Sequence, residues 1–163
     1  SINPAVKILV FETSEGDKTE VDEQIMKPSV LIRNLIEDSG DELEFPLPNI
    51  KKKIFERVVE YLTHLREGNL APTLEKPLKS GQLGDLVSPW YAQYIDKCSA
   101  TKSELMDLVL AANYLDITSL LDLACAKIAT TIKSKTIPEV REYFGIQNDF
   151  RPEEEAHINE ENQ

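Results

Sequence analysis

The sequence predicts an α+β domain with helix in excess: about three short strands flanked by helices, followed by a helical C-terminal extension. Three observations carry this. A β-rich run near the start is followed by a turn cluster and a second β-prone run. A strand pattern broken by prolines sits between two helix patterns. Helical periodicity then dominates and peaks in Glu104–Ile132, where two helix patterns are joined by almost nothing.

Taken in order, Val6–Phe11 (VKILVF) is the first strand, bounded by Ser14-Glu15-Gly16-Asp17. Lys18–Val21 returns as its hairpin partner. Ser29, after Pro28, suits the N-cap of a helix carrying Val30, Leu31, Leu35 and Ile36, which Ser39-Gly40-Asp41 stops. Leu43, Phe45 and Leu47 alternate with Glu44 and Pro46, a short strand that its prolines confine to an edge. Asn49 is expected to cap a long helix with Ile50, Ile54, Val58, Leu62 and Leu65 on one face, ended by Gly68. Residues 67–89 hold three glycines and three prolines and are expected to form a flexible linker. Trp90, Tyr91, Tyr94 and Ile95 return to structure as a short helix.

In the central hairpin, Thr101 and Glu104 fit a capping box that starts a helix near Lys102. Leu105, Leu108, Val109, Ala112 and Leu115 fall on one face. Met106, Leu110 and Tyr114 form a second stripe, which implies burial on more than one side. Asp116 or Thr118 can cap the next helix, whose broad face carries Leu120, Leu121, Ala124, Cys125, Ile128 and Ile132. Thr136 and Glu139 form another possible capping box, with Pro138 tolerated in the first turn. Val140, Tyr143 and Phe144 are that helix's apolar side, Gly145 ends it, and a last helix is expected from Pro152.

Composition excludes several function classes. Eighteen Lys and Arg against 29 Asp and Glu give a net charge of −11, which argues against nonspecific nucleic-acid binding. No apolar run approaches the roughly 20 residues of a membrane span, and no signal peptide is expected. Cys98 and Cys125 give no disulfide framework and read as reduced thiols of an intracellular protein. Catalysis finds no support. His64 and His157 lie far apart, no metal-ligand spacing exists, and no cofactor motif is present. A Cys98 or Cys125 nucleophile paired with His64 is outweighed by a buried thiol and a helix-end imidazole. Gly81 and Gly84 lack the following Lys-Ser/Thr of a phosphate loop. Lys51-Lys52-Lys53 reads as a solvated face. Glu153-Glu154-Glu155 reads as acids complementing a helix dipole rather than a cation site.

Five segments, in order along the chain, carry a resemblance. They are Pro46-Leu47-Pro48-Asn49, Thr63-His64, the run Leu108–Ile117 (LVLAANYLDI) with Leu120-Leu121-Asp122, Ile146-Gln147-Asn148-Asp149-Phe150 with Glu153-Glu154-Glu155-Ala156, and Glu160-Glu161-Asn162-Gln163. Together they resemble the S-phase-kinase-associated adaptor (Skp) family of SCF ubiquitin ligases, which links F-box proteins to a cullin scaffold. The resemblance implies a BTB/POZ fold over residues 6–132 and a C-terminal two-helix F-box-binding extension over 133–163. It implies an adaptor, not an enzyme, working in ubiquitin-dependent degradation in cytoplasm and nucleus.

The chain carries more apolar helix faces than one small core needs. Leu108, Leu115, Leu121 and Ala124 are assigned to the core. The other faces read as a groove that receives an amphipathic helix. Carried over from the resemblance, the F-box-binding candidates are Leu105, Val109, Cys125, Ile128, Ile132, Val140, Phe144, Ile146, Phe150 and Ile158, and the cullin-facing pair is Asn113 and Tyr114. An amide and a phenol at a helix end suit an interface rim. A C-cap and a core tyrosine are the plainer reading of the same two residues.

The chain also departs from the family. Lys76, Lys79 and Leu83 stand in a linker that is usually acidic, and Asp96–Ser103 differs from the family's Lys-Val-Asp-Gln. Thr136-Ile137-Pro138-Glu139 replaces Thr-Pro-Glu-Glu, and the displaced proline argues against the hydroxylation and glycosylation of some protist members. Arg151 replaces a Thr cap that contributes about 1 kcal/mol. The family's Trp-Cys-Glu-Glu ending would follow Gln163, so either that anchor lies beyond the given chain or this member binds with less. Two alternatives stay open: an elongin-C-like adaptor, which normally lacks the extension, and a self-associating BTB protein. A homodimer is expected when the F-box partner is absent.

Overall fold

The computed structural model describes residues 7–75, 78, 80–133 and 135–144. Strands β1 (Ile8–Glu12), β2 (Lys18–Asp22) and β3 (Glu44–Pro46) form one sheet of order β2-β1-β3. β1 pairs antiparallel with β2 and parallel with β3, placing Leu9 opposite Val21 and Phe11 opposite Phe45. All four are buried, while Ile8 is exposed, which is the alternation of a half-buried strand. The β1–β2 turn closes through the Thr13 backbone N–H and hydroxyl, both donating to the Asp17 carbonyl, with Gly16 at φ 85°. β3 is an edge strand, so Pro46 costs the ladder no donor.

Helix α1 (Val30–Ser39) begins at Ser29, whose Oγ accepts from the Ile32 N–H at 3.2 Å. α2 (Lys52–Arg66) begins two residues later than expected. Asn49 does not cap it. Lys51 is the N-cap residue without a side-chain bond, and the Lys52 N–H is satisfied by the Glu15 carboxylate at 3.1 Å. A distant acid from the β1–β2 turn has replaced the local cap. α2 buries Phe55 and Tyr61 beside the expected Ile54, Val58 and Leu62, and Phe55 lies 5.2 Å from the Phe11 ring. Gly68 follows at φ 97° with its N–H on the Leu65 carbonyl.

Where it is described, the 67–89 segment touches the domain in places, while Leu70 within it is 88% exposed. Leu74 and Leu78 lie against the core, and Leu83 is buried in a 3-10 turn, Leu83–Asp85. α3 (Pro89–Cys98) buries Tyr91, Tyr94, Ile95 and Cys98. The Tyr94 hydroxyl donates to the Arg57 carbonyl at 2.6 Å, and the Tyr91 hydroxyl donates to the Leu70 carbonyl.

α4 (Lys102–Leu115) starts where Thr101 predicts, with Thr101 Oγ1 accepting the Glu104 N–H at 3.1 Å. α5 (Thr118–Ile132) follows after two residues. Neither Asp116 nor Thr118 caps it. Asp116 instead ends α4 in a left-handed conformation, φ 54°, and Ile117 is the residue before α5. α5 buries Leu120, Leu123, Ala124, Ala126 and Thr130. α6 (Ile137–Phe144) carries the expected capping box in full: Thr136 Oγ1 accepts the Glu139 N–H, and Glu139 Oε1 accepts the Thr136 N–H. The expected helix beyond Pro152 lies outside the described residues. Among the described residues, no helix is long and apolar enough to cross a membrane.

Candidate partner-binding surfaces

α4 packs against α1, α2, α3 and α5, and these neighbours cover Leu105, Leu108, Ala111, Ala112 and Leu115. They leave one side of the helix open. Leu110 is 65% exposed and Tyr114 42%, with Asn113 exposed beside them. Leu110 and Tyr114 of the second apolar stripe are therefore displayed, with Met106 half-buried, rather than buried as periodicity alone implied. Leu110 is the residue the sequence reading missed as a surface candidate. Its signal was the Met106–Leu110–Tyr114 spacing itself.

The stripe has a charged border. Lys51 pairs with Asp107 at 3.6 Å, and Lys53 bonds Glu104. The Lys53 hydrogen bond holds the Glu104 carboxyl below its ordinary pKa. The lysine run thus joins α2 to α4, beyond being a solvated face. At the far end of the stripe, the Ser29 hydroxyl donates to the Leu115 carbonyl and the Val30 N–H to the Asp116 carbonyl. The N-terminus of α1 so closes the C-terminus of α4, next to Asn113 and Tyr114.

The second surface lies on α5 and α6. Cys125 is exposed on α5, and Ile128 and Ile132 are half-buried there, as are Val109 on α4 and Val140 on α6. Leu105 does not belong to this surface. It is 0% exposed and shares the core face of Leu108 and Leu115, so it is removed from the groove set. Phe144 closes α6; its side chain, like Ile146, Phe150 and Ile158, lies outside the described residues. α6 is held to the domain where Lys102 Nζ donates to the Glu142 carbonyl at 2.9 Å. The Lys102 and Lys135 ammonium groups lie 5.6 and 5.8 Å from the centre of the Tyr143 ring.

The reactive residue types are used structurally. The His64 ring stacks on Trp90, centres 3.6 Å apart and 4° from parallel. Burial pushes the Cys98 thiol up, the wrong direction for a nucleophile. Among the described residues, no cluster of His, Cys, Asp and Glu could hold a metal ion. His157 lies outside them.

Two family models match the chain: "Skp1 family, tetramerisation domain" over residues 7–67 and "Skp1 family, dimerisation domain" over 118–163. The second spans the extension that distinguishes this family from the elongin-C-like alternative. An S-phase kinase-associated protein 1 homolog of Tetrahymena thermophila is 51% identical over 157 residues, covering 96% of this chain and 91% of the relative. The SCF ubiquitin ligase complex protein SKP1b of Dictyostelium discoideum is 38% identical, covering 97% and 95%. The E3 ubiquitin ligase complex SCF subunit sconC of Emericella nidulans is 37% identical, covering 98% and 96%. The three-stranded sheet, the α4–α5 hairpin and the following helix agree with that kinship: the chain belongs to the Skp1 family.

Proposed function

We propose that this protein is the adaptor subunit of an SCF-type E3 ubiquitin ligase, joining F-box receptors to a cullin. Its contribution is positional and it catalyses no step itself. The observation that carries the reading is the exposed Leu110–Asn113–Tyr114 stripe on α4, a helix packed against α5, which exposes Cys125. One hairpin thereby offers a surface on each helix. The α4 stripe is the cullin side, where Leu110 supplies apolar area and Asn113 and Tyr114 supply hydrogen bonds. Val109, Cys125, Ile128, Ile132 and Val140 are the F-box side, continued by Phe144, Ile146, Phe150 and Ile158.

Without a receptor, the same α5–α6 side pairs with a second copy. The reading places the protein in cytoplasm and nucleus, where the thiols of Cys98 and Cys125 stay reduced. The test is assembly of this chain, an F-box domain and a cullin N-terminal domain on a sizing column. A ternary complex is expected. Leu110→Arg should release the cullin and keep the F-box domain. Loss of both partners from a folded variant, or loss of neither, would overturn the division of surfaces.

A further inference from the structure

The exposed line on α4 ends in a charge. Asp107, Leu110, Asn113 and Asp116 are spaced three apart through α4 and its C-terminal cap, so they follow one another along the helix surface. Asp107 is half-buried and the other three are exposed. The two carboxylates have different surroundings. Lys51 lies 3.6 Å from Asp107. The Asp116 side chain forms no hydrogen bond or ion pair among the described residues.

Aspartate is a poor structural choice at this position. Its φ is 54°, where glycine is favoured. It puts a negative charge at a helix C-terminus, where the dipole disfavours one. It does not cap α5, which has Ile117 before its first residue and no side-chain cap bond. The turn is held by backbone alone: the Asp116 N–H donates to the Asn113 carbonyl at 3.2 Å, and the Asp116 carbonyl accepts the Val30 N–H at 3.2 Å. Glycine would make both bonds. An unpartnered side chain held in a disfavoured conformation, beside an exposed stripe, points to a role in binding.

We infer that the Asp116 carboxylate is a specificity-determining contact of the α4 stripe, pairing with a lysine or arginine of the cullin. The inference rests on the adaptor reading and adds to it the sign and place of the partner's charge. Lys51 already answers Asp107, so a cationic partner is directed to the Asp116 end of the line. That gives the contacts of Leu110, Asn113 and Tyr114 one orientation. A charge pair at an interface rim speeds encounter and fixes register, and salt screens it.

The experiment is calorimetry of a cullin N-terminal domain against the full chain saturated with an F-box domain, at roughly 25 mM and 500 mM salt, where the Debye length differs severalfold. Two variants separate charge from backbone. Asp116→Asn keeps a residue that tolerates the left-handed turn and removes the charge. Asp116→Gly removes the charge and relieves the turn. Both should bind the cullin about fivefold more weakly at low salt and within about twofold of wild type at high salt. Both should bind the F-box domain as wild type does. For Asp116→Gly the urea midpoint should rise while cullin affinity falls, a combination that a purely structural aspartate does not produce. Cullin affinities equal to wild type at both salts would overturn the inference and leave the adaptor reading standing. So would equal weakening at both salts, or weakening towards the F-box domain as well, since either would place the effect in the fold rather than in a charge pair. No cullin binding by the folded wild type would overturn the adaptor reading itself, and the inference with it.

Discussion

The Ser29 hydroxyl donates to the Leu115 carbonyl at 2.6 Å while its oxygen accepts the Ile32 N–H, joining residues 86 positions apart. One buried side chain caps the start of α1 and satisfies an open carbonyl at the end of α4. The exposed pair Asn113 and Tyr114 stands immediately before that carbonyl. Ser29→Ala removes the cap and leaves the carbonyl without its donor, so it should cost about 2–3 kcal/mol. Urea unfolding checks this. A loss under 0.5 kcal/mol would mean that the two helix ends are held by other contacts.

Asp116 ends α4 at φ 54°, a conformation that favours glycine, and places a negative charge at a helix C-terminus. Asp116→Gly should therefore stabilise the fold by about 0.5–1 kcal/mol, and Asp116→Ala should destabilise it. A rise in urea midpoint for the alanine variant would contradict the geometry.

Burial pushes the Tyr61 phenol up to about 12 and raises Tyr94 well above its ordinary value. The unfolded phenols ionise near pH 10. Stability from keeping these groups neutral is thus fully present below pH 10 and lost as pH rises through the folded values. The urea midpoint should be flat to about pH 9 and fall above it. Tyr61→Phe should blunt that fall and cost about 1 kcal/mol at neutral pH through loss of its 2.6 Å bond with Ser119. An alkaline fall of the same size in Tyr61→Phe would show that other groups govern it.

α6 depends on the Thr136–Glu139 box. Thr136→Ala should speed amide exchange in α6 about fivefold, the effect of losing an N-cap worth ~1 kcal/mol. Hydrogen bonds from Thr136 hold the Glu139 carboxyl below its ordinary range. That contribution is present above the unfolded carboxylate pKa and is lost as pH falls through the folded one, so acid should open α6 before the α4–α5 hairpin. Equal exchange rates in wild type and variant would remove the box from the helix's support.

The elements were largely legible because their signals are local. Ser29, Thr101 and Thr136 act on N–H groups three residues ahead, and the alternation around Leu9 and Phe11 needs only a two-residue period. Asn49 failed because α2 takes its cap from Glu15, a tertiary contact that no nearby spacing reveals. Asp116 failed as a cap because it was needed for the left-handed turn. For the surfaces, periodicity located the stripes but not their exposure. Leu105 and Leu110 are both apolar residues of one helix, and only the placement of the helices around α4 decides that one is buried and the other displayed. Asn113 and Tyr114 were reached through family resemblance; their exposure is a property of the fold.

The central claim is that α5 and its neighbours receive an F-box helix. Calorimetry of a purified F-box domain tests it most directly, with wild type against Val109→Asp/Ile128→Asp and against the exposed-site variant Cys125→Asp. Charge placed in an apolar contact should abolish measurable binding in the double variant and weaken it at least tenfold in Cys125→Asp, about 1.4 kcal/mol or more, with circular dichroism unchanged. Undiminished binding by the folded variants, or no binding by the folded wild type, would contradict it.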